Sequence, residues 1–356
     1  MKRIISHNKP SLGQKEINAI ARVINNSWIV EGEKVAEFED EFCKYLGLPS
    51  LHAVALSNGT SALYLALKVL GIKSGDEVIT STYVCSAVLN AIFMAGAKPV
   101  LTDINKSDFN ISYQDIISKI TRKTKAIIVP YTFGMPFDIG SIKSLGIPVV
   151  EDCAVALGSK IGNQFVGVFG EIAIFSFYAS KVITTGNGGM LVSKYSEYIE
   201  KAKDYREFDC RKVYYPRFNF QMSDIQAAMG LEQLKKLNIF LKKRKQIAEH
   251  YVDICLNKGW DFQSTRNKNY FNNWYRFVLI IETNIVKKLK LHLKKNGIET
   301  IIPIEKWELL HNYLELEPKN FIIAEKITQT TLSLPIYPNL LNNNDLEEII
   351  KYLKEF

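Results

Sequence analysis

Ile172-Ala173-Ile174-Phe175-Ser176-Phe177-Tyr178-Ala179-Ser180-Lys181-Val182-Ile183-Thr184-Thr185-Gly186-Asn187-Gly188-Gly189-Met190-Leu191-Val192-Ser193 holds two apolar runs, 172–177 and 190–193, around a glycine-bracketed loop. The runs lie too close in sequence for a crossover helix, so one of the two strands they predict is antiparallel. Upstream, β-branched runs recur at His52–Ser57, Glu77–Ser81, Pro99–Ile104, Ala126–Pro130 and Pro148–Glu151. Helical stretches separate them: Ser61–Leu70, Ser86–Ala95, Tyr113–Ile120 and Ile139–Leu145. This alternation predicts an α/β fold, a mostly parallel sheet sandwiched by helices.

Downstream the pattern changes. Ile225, Met229, Leu231, Leu234, Leu237 and Leu241 keep a helical period over Ser223–Tyr251, with Ser223 as N-cap. A strand at Tyr275–Glu282, a helix at Ile285–Asn296 ended by Gly297, and a last helix at Asn344–Lys354 follow. The 356 residues exceed what one core usually supports. The expected division is a large domain over residues 1–235 and a smaller α+β domain over 236–356.

Forty-five Lys+Arg against 37 Asp+Glu give a net charge of +8, and 47% of residues are apolar, which excludes a disordered chain. Five scattered cysteines without C-x-x-C spacing argue against a disulfide framework or a zinc ribbon, and no metal site is expected. No run reaches the ~18 apolar residues of a membrane span. Met1–His7 lacks the apolar core and cleavage site of a signal peptide. A cytoplasmic protein without a membrane partner is the expectation. The basic run Lys242-Lys243-Arg244-Lys245 has no interleaved aromatics. It reads as a solvated helix face rather than a nucleic-acid contact.

Three constellations carry chemistry. Ser57-Asn58-Gly59-Thr60-Ser61 follows a strand and opens a helix. Gly59 permits close backbone approach, and Thr60 and Ser61 add hydroxyls beside free N–H groups, a phosphate cradle. By itself the stretch is equally an ordinary small, polar turn. Asp152 ends the apolar run Val149-Val150-Glu151, where ligands sit in open α/β sheets. It is either a helix N-cap or the partner of a protonated ring nitrogen. Lys181 lies just past a strand, either a solvated amine or a nucleophile with a lowered pKa. A cradle, an acid for a pyridinium and a lysine for a Schiff base together match pyridoxal 5′-phosphate (PLP). Lys181 would also move the proton between carbons.

With these motifs the sequence resembles the DegT/DnrJ/EryC1/StrS family, the fold-type I PLP-dependent aminotransferases of sugar nucleotides. The resemblance begins at Ser27-Trp28-Ile29-Val30-Glu31-Gly32 and runs through 57–63, Gly96–Val100, 151–158 and 175–189. It ends at Met222-Ser223-Asp224-Ile225-Gln226 and Leu334–Pro338. It implies that Gly59, Thr60 and Ser176 contact the cofactor phosphate, and that Tyr83 places its ring over the cofactor. It implies that Asn219 reaches the phosphate from the neighbouring subunit, hence a homodimer with shared sites. The implied reaction takes an amino group from L-glutamate, passes through pyridoxamine 5′-phosphate, and delivers it to a 3- or 4-keto, 6-deoxy nucleotide sugar. The product would enter a surface polysaccharide such as an O-antigen, or a glycosylated metabolite. Lys181 argues against the related dehydratases, which carry His there. The chain departs from the family pattern at Val155, where Gln or His is usual, at Asn187 for Glu, at Gln221 for Arg, and over Ile301–Trp307. Val155 and Asn187 leave open a PLP-fold sensor or regulator without catalysis.

Overall fold

Alternate side chains of most strands in the main sheet enter two different cores. The computed structural model describes residues 4–265, 267–342 and 344–356. Its main sheet is built from β1 (Ala53–Leu56), β2 (Glu77–Ser81), β3 (Lys98–Thr102), β4 (Thr124–Pro130), β5 (Val149–Asp152), β6 (Ile172–Ser176) and β7 (Gly189–Val192). Val54, Leu56, Ile128, Val150, Ile172 and Ile174 pack under the helices Gly59–Val69, Ala87–Met94 and Ser196–Arg206. Ala53, Ala55, Ile127, Val129, Val149 and Phe175 face the helices Glu33–Leu46 and Asp224–Lys258. A sheet buried on both faces needs continuous apolar strands, which is why these runs stand out in the sequence.

The strand order is β1-β7-β6-β5-β4-β2-β3. Strands β3, β2, β4, β5 and β6 pair in parallel, and β7 is antiparallel to both β6 and β1. The expected antiparallel strand is therefore β7. The parallel strands bring their carboxyl ends to one edge, where Asp152 and Ser176 lie.

The helix Asp224–Lys258 opens with a capping box. Ser223 Oγ accepts from the Gln226 N–H at 3.3 Å, and Gln226 Oε1 accepts from the Ser223 N–H at 2.9 Å. It runs unbroken past the expected end at Tyr251, to Gly259 in the left-handed region (φ 64°). Residue 236 thus falls inside one rigid element. Ala227, Leu231, Leu237 and Leu241 belong to the core of the main sheet, whereas Ile247, Tyr251 and Ile254 belong to a second core. That core sits on a sheet of β8 (Asp261–Phe262), β9 (Phe277–Ile280) and β10 (Thr331–Leu334), all antiparallel. Ile5 joins this second core and bridges to Ile298, while Leu309, Leu310, Phe321 and Ala324 return to the first.

The basic run is not uniformly solvated. Arg244 is buried, and its Nη1 donates to the carbonyls of Trp274, Tyr275 and Ile336 at 3.1, 3.2 and 2.9 Å. Among the described residues, no helix is long and apolar enough to cross a membrane.

Candidate active site

Asp152 and Glu151 are neighbours at the end of β5, and the pleat sends them in opposite directions. Glu151 is saturated. It accepts from the N–H groups of Gly167, Phe169 and Gly170 at 2.8, 2.7 and 2.6 Å and from the Tyr131 hydroxyl at 2.6 Å. Asp152 lines a cavity of about 360 Å³. Its Oδ1 accepts one bond, from the Ala154 N–H at 3.0 Å. Burial raises its pKa, while the Ala154 N–H and the charge of Lys181 pull the other way. A buried carboxylate this sparsely satisfied fits a cationic partner.

Lys181 lines the same cavity, its Nζ 5.7 Å from the centre of the Tyr275 ring. The loop that carries it is held at both sides. The Lys181 N–H donates to the Tyr178 carbonyl at 2.9 Å, and Asn8 Nδ2 donates to the Ser180 carbonyl at 2.8 Å. Further on, Asn187 gives its carbonyl to Gln226 Nε2 at 2.6 Å, which fastens the loop to the start of the long helix.

Tyr83 is fully buried in the cavity wall, edge-on to Phe109 and Phe133 at 6.0 and 5.9 Å between ring centres. Its neighbour Thr82 is bracketed by a segment over 200 residues away. Thr82 Oγ1 meets His311 Nδ1 at 2.8 Å, and His311 Nε2 meets Glu325 at 3.1 Å. His311 lies flat on Phe321 at 4.3 Å. Burial lowers the His311 pKa further than Glu325 raises it.

Gly59, Thr60 and Ser176 meet beside this cavity rather than in its wall. A Cβ built on Gly59 would lie 3.0 Å from Ser176 Cβ, so a larger residue at 59 would fill the gap. Asn58 caps the helix by accepting from the Ser61 N–H at 2.8 Å. The N–H groups of Gly59 and Thr60 have no partner among the described residues. These donors at a helix N-terminus, with the Ser176 hydroxyl opposite, fit a phosphate. Ser61 is committed elsewhere: its N–H and hydroxyl serve Asn58 Oδ1, and its hydroxyl lies 3.2 Å from that of Ser57. Asn219 is exposed and does not line the cavity of its own chain. Val155 contributes an apolar side chain to the lining, and its carbonyl accepts from Asn273 at 2.9 Å.

Two residues of the site carry no local signal in the sequence. Tyr275 and Arg276 enter the cavity from the start of β9. Burial alone would push the Tyr275 phenol up, but Lys181 and Arg276 beside it hold it below its ordinary value.

The chamber thus joins a sparsely satisfied carboxylate and an amine, with free N–H donors at a helix N-terminus one strand away. The class is that of the PLP-dependent sugar aminotransferases: residues 10–354 match the DegT/DnrJ/EryC1/StrS aminotransferase family, and the chain belongs to it. It is 32% identical to the GDP-perosamine synthase of Escherichia coli O157:H7, over 98% of this chain and 97% of that protein. It superposes on the putative sugar aminotransferase Spr1654 from Streptococcus pneumoniae, in its PMP form, with a TM-score of 0.92 at 25% identity, covering 99% and 97% of the two chains. Helicobacter pylori PseC, an aminotransferase of pseudoaminic acid biosynthesis, matches over 100% of both chains at 27% identity and a TM-score of 0.88.

Proposed function

We propose that this chain transfers an amino group from L-glutamate to a 3- or 4-keto nucleotide-linked sugar, as a homodimer, for surface polysaccharide or glycosylated-metabolite biosynthesis. The observation that carries the reading is the meeting of Asp152 and Lys181 in one cavity. The names of the relatives, a GDP-perosamine synthase and an aminotransferase of pseudoaminic acid biosynthesis, support the sugar substrate.

Bound PLP supplies a ring that draws electrons from the substrate carbon as its proton leaves. Lys181 Nζ would hold the cofactor and would carry the proton between the substrate and cofactor carbons. Asp152 would face the ring nitrogen as its anionic partner. Gly59, Thr60 and Ser176 would hold the phosphate, joined by Asn219 of the other subunit, and Tyr83 would lie over the ring. Tyr83, Val155, Phe133 and Tyr275 give the cavity a largely apolar wall. The test is a screen of glutamate-treated enzyme against dTDP-, UDP- and GDP-linked keto sugars, with amino-sugar formation read by mass spectrometry. Amination of at least one supports the reading. Release of 2-oxoglutarate with no keto sugar aminated would reject the acceptor class.

A further inference from the structure

Among the described residues, three arginines have side-chain nitrogens sealed from water without a hydrogen bond: Arg206, Arg244 and Arg276. Two of them are otherwise paired. Arg206 pairs with Glu31 and Glu39, and Arg244 with three carbonyls. Arg276 has both Nε and Nη1 unsatisfied and no ion pair among the described residues. Its guanidinium rests on the rings of Phe133 and Tyr275, at 5.3 and 5.6 Å. Two guanidinium nitrogens sealed from water against aromatic faces are costly, and a turn of the fork onto an anion in the cavity relieves that cost.

Among the described residues, the charged side chains lining the cavity are Asp152, Lys181, Arg276 and Glu308. Lys181 is taken by the chemistry, so Arg276 is the cation left for a ligand. It shares the chamber and a neighbour with the reacting amine: Lys181 Nζ and the Arg276 guanidinium lie 5.7 and 5.6 Å from the centre of the Tyr275 ring. An α-carboxylate sits one bond from the reacting carbon of an amino acid. The diphosphate of a sugar nucleotide is separated from its keto carbon by the sugar ring. The planar fork of arginine matches a carboxylate with two parallel hydrogen bonds.

We infer that Arg276 recognises the carboxylate of the amino donor and sets the donor's chemical class. This rests on the proposed function for the identity of the two half-reactions. The experiment uses PLP-loaded wild type, Arg276→Gln and Arg276→Lys. Maleate, a dicarboxylate that carries no amino group, is titrated by calorimetry, and the L-glutamate and keto-sugar half-reactions are followed by absorbance. Arg276→Gln should bind maleate about 10- to 100-fold more weakly and raise half-saturation by glutamate by a similar factor. Cofactor content and melting temperature should hold, the keto-sugar half-reaction should lose much less than the glutamate half-reaction, and Arg276→Lys should be intermediate for maleate. Unchanged maleate binding in either folded variant overturns the inference, as does an equal loss in the keto-sugar half-reaction, which would assign Arg276 to the diphosphate. If Arg276→Gln fails to fold, Arg276→Lys decides by the same criteria. Wild type that binds maleate through Arg276 yet aminates no keto sugar rejects the acceptor and leaves the carboxylate site standing.

Discussion

At the scale of the residue, Asp152 differs from Glu151 in what remains to be satisfied. Burial raises the pKa of both, but Glu151 has four donors within hydrogen-bond distance whereas Asp152 has one. In the cofactor-free protein the ionised Asp152 therefore costs stability. The cost is absent below the unfolded carboxylate pKa, near 3.8, and grows as pH rises through the higher folded value. Asp152→Asn removes it. The cofactor-free variant should melt above cofactor-free wild type at about pH 8, and the gap should close as the solution is acidified. Adding PLP should reverse the order, because only the carboxylate is favoured by a protonated ring nitrogen. Turnover of the loaded variant should fall about 10²- to 10³-fold, equivalent to ~3–4 kcal/mol. Melting curves that coincide at every pH would remove the argument for a desolvated acid.

At the scale of the element, the long helix sets the position of the cavity wall. Arg244 holds the Tyr275 carbonyl at 3.2 Å, and Tyr275 lies against Lys181. Arg244→Leu strips three buried carbonyls of their donor. It should lower stability by about 3 kcal/mol or more, read from the urea midpoint, and slow turnover although Arg244 touches no substrate. Loss of stability with unchanged kinetics would separate the helix from the site. Strands β1, β4, β5, β6 and β7 were legible because each holds an apolar run buried on both faces, and β2 and β3 because Val78-Ile79 and Val100-Leu101 stand between turn-forming residues. The 57–61 turn and the 176–189 loop were legible because their residues are contiguous. Tyr275, Arg276 and His311 were not. They come from two short, unmarked places in the chain's last third, and no spacing rule joins them to Lys181. Arg244 was misread because a run of four basic residues spans a full helical turn, so one of them must face inward.

At the scale of the whole molecule, the boundary expected at 236 lies within a helix whose apolar face passes from one core to the next without a break in period. Sequence periodicity reports that a face is buried and is silent on what buries it. Assembly is the other question at this scale. Asn219 is exposed and outside the cavity of its own chain, as suits a residue that serves a second subunit. Asn219→Ala should weaken PLP binding by about 10- to 100-fold, for one hydrogen bond to a charged group. Mixed and exchanged with Lys181→Ala, it should regain activity at limiting PLP, because one hybrid site carries both intact residues. Verified heterodimers that stay inactive would reject the shared site. The claim on which everything here depends is that Lys181 is the amine that holds the cofactor. Borohydride reduction of the PLP-loaded enzyme, followed by peptide mass spectrometry, tests it most directly. The phosphopyridoxyl mass should appear on the peptide containing Lys181 and vanish in Lys181→Ala. Label on another lysine, or none on an enzyme that still transaminates, would contradict the account.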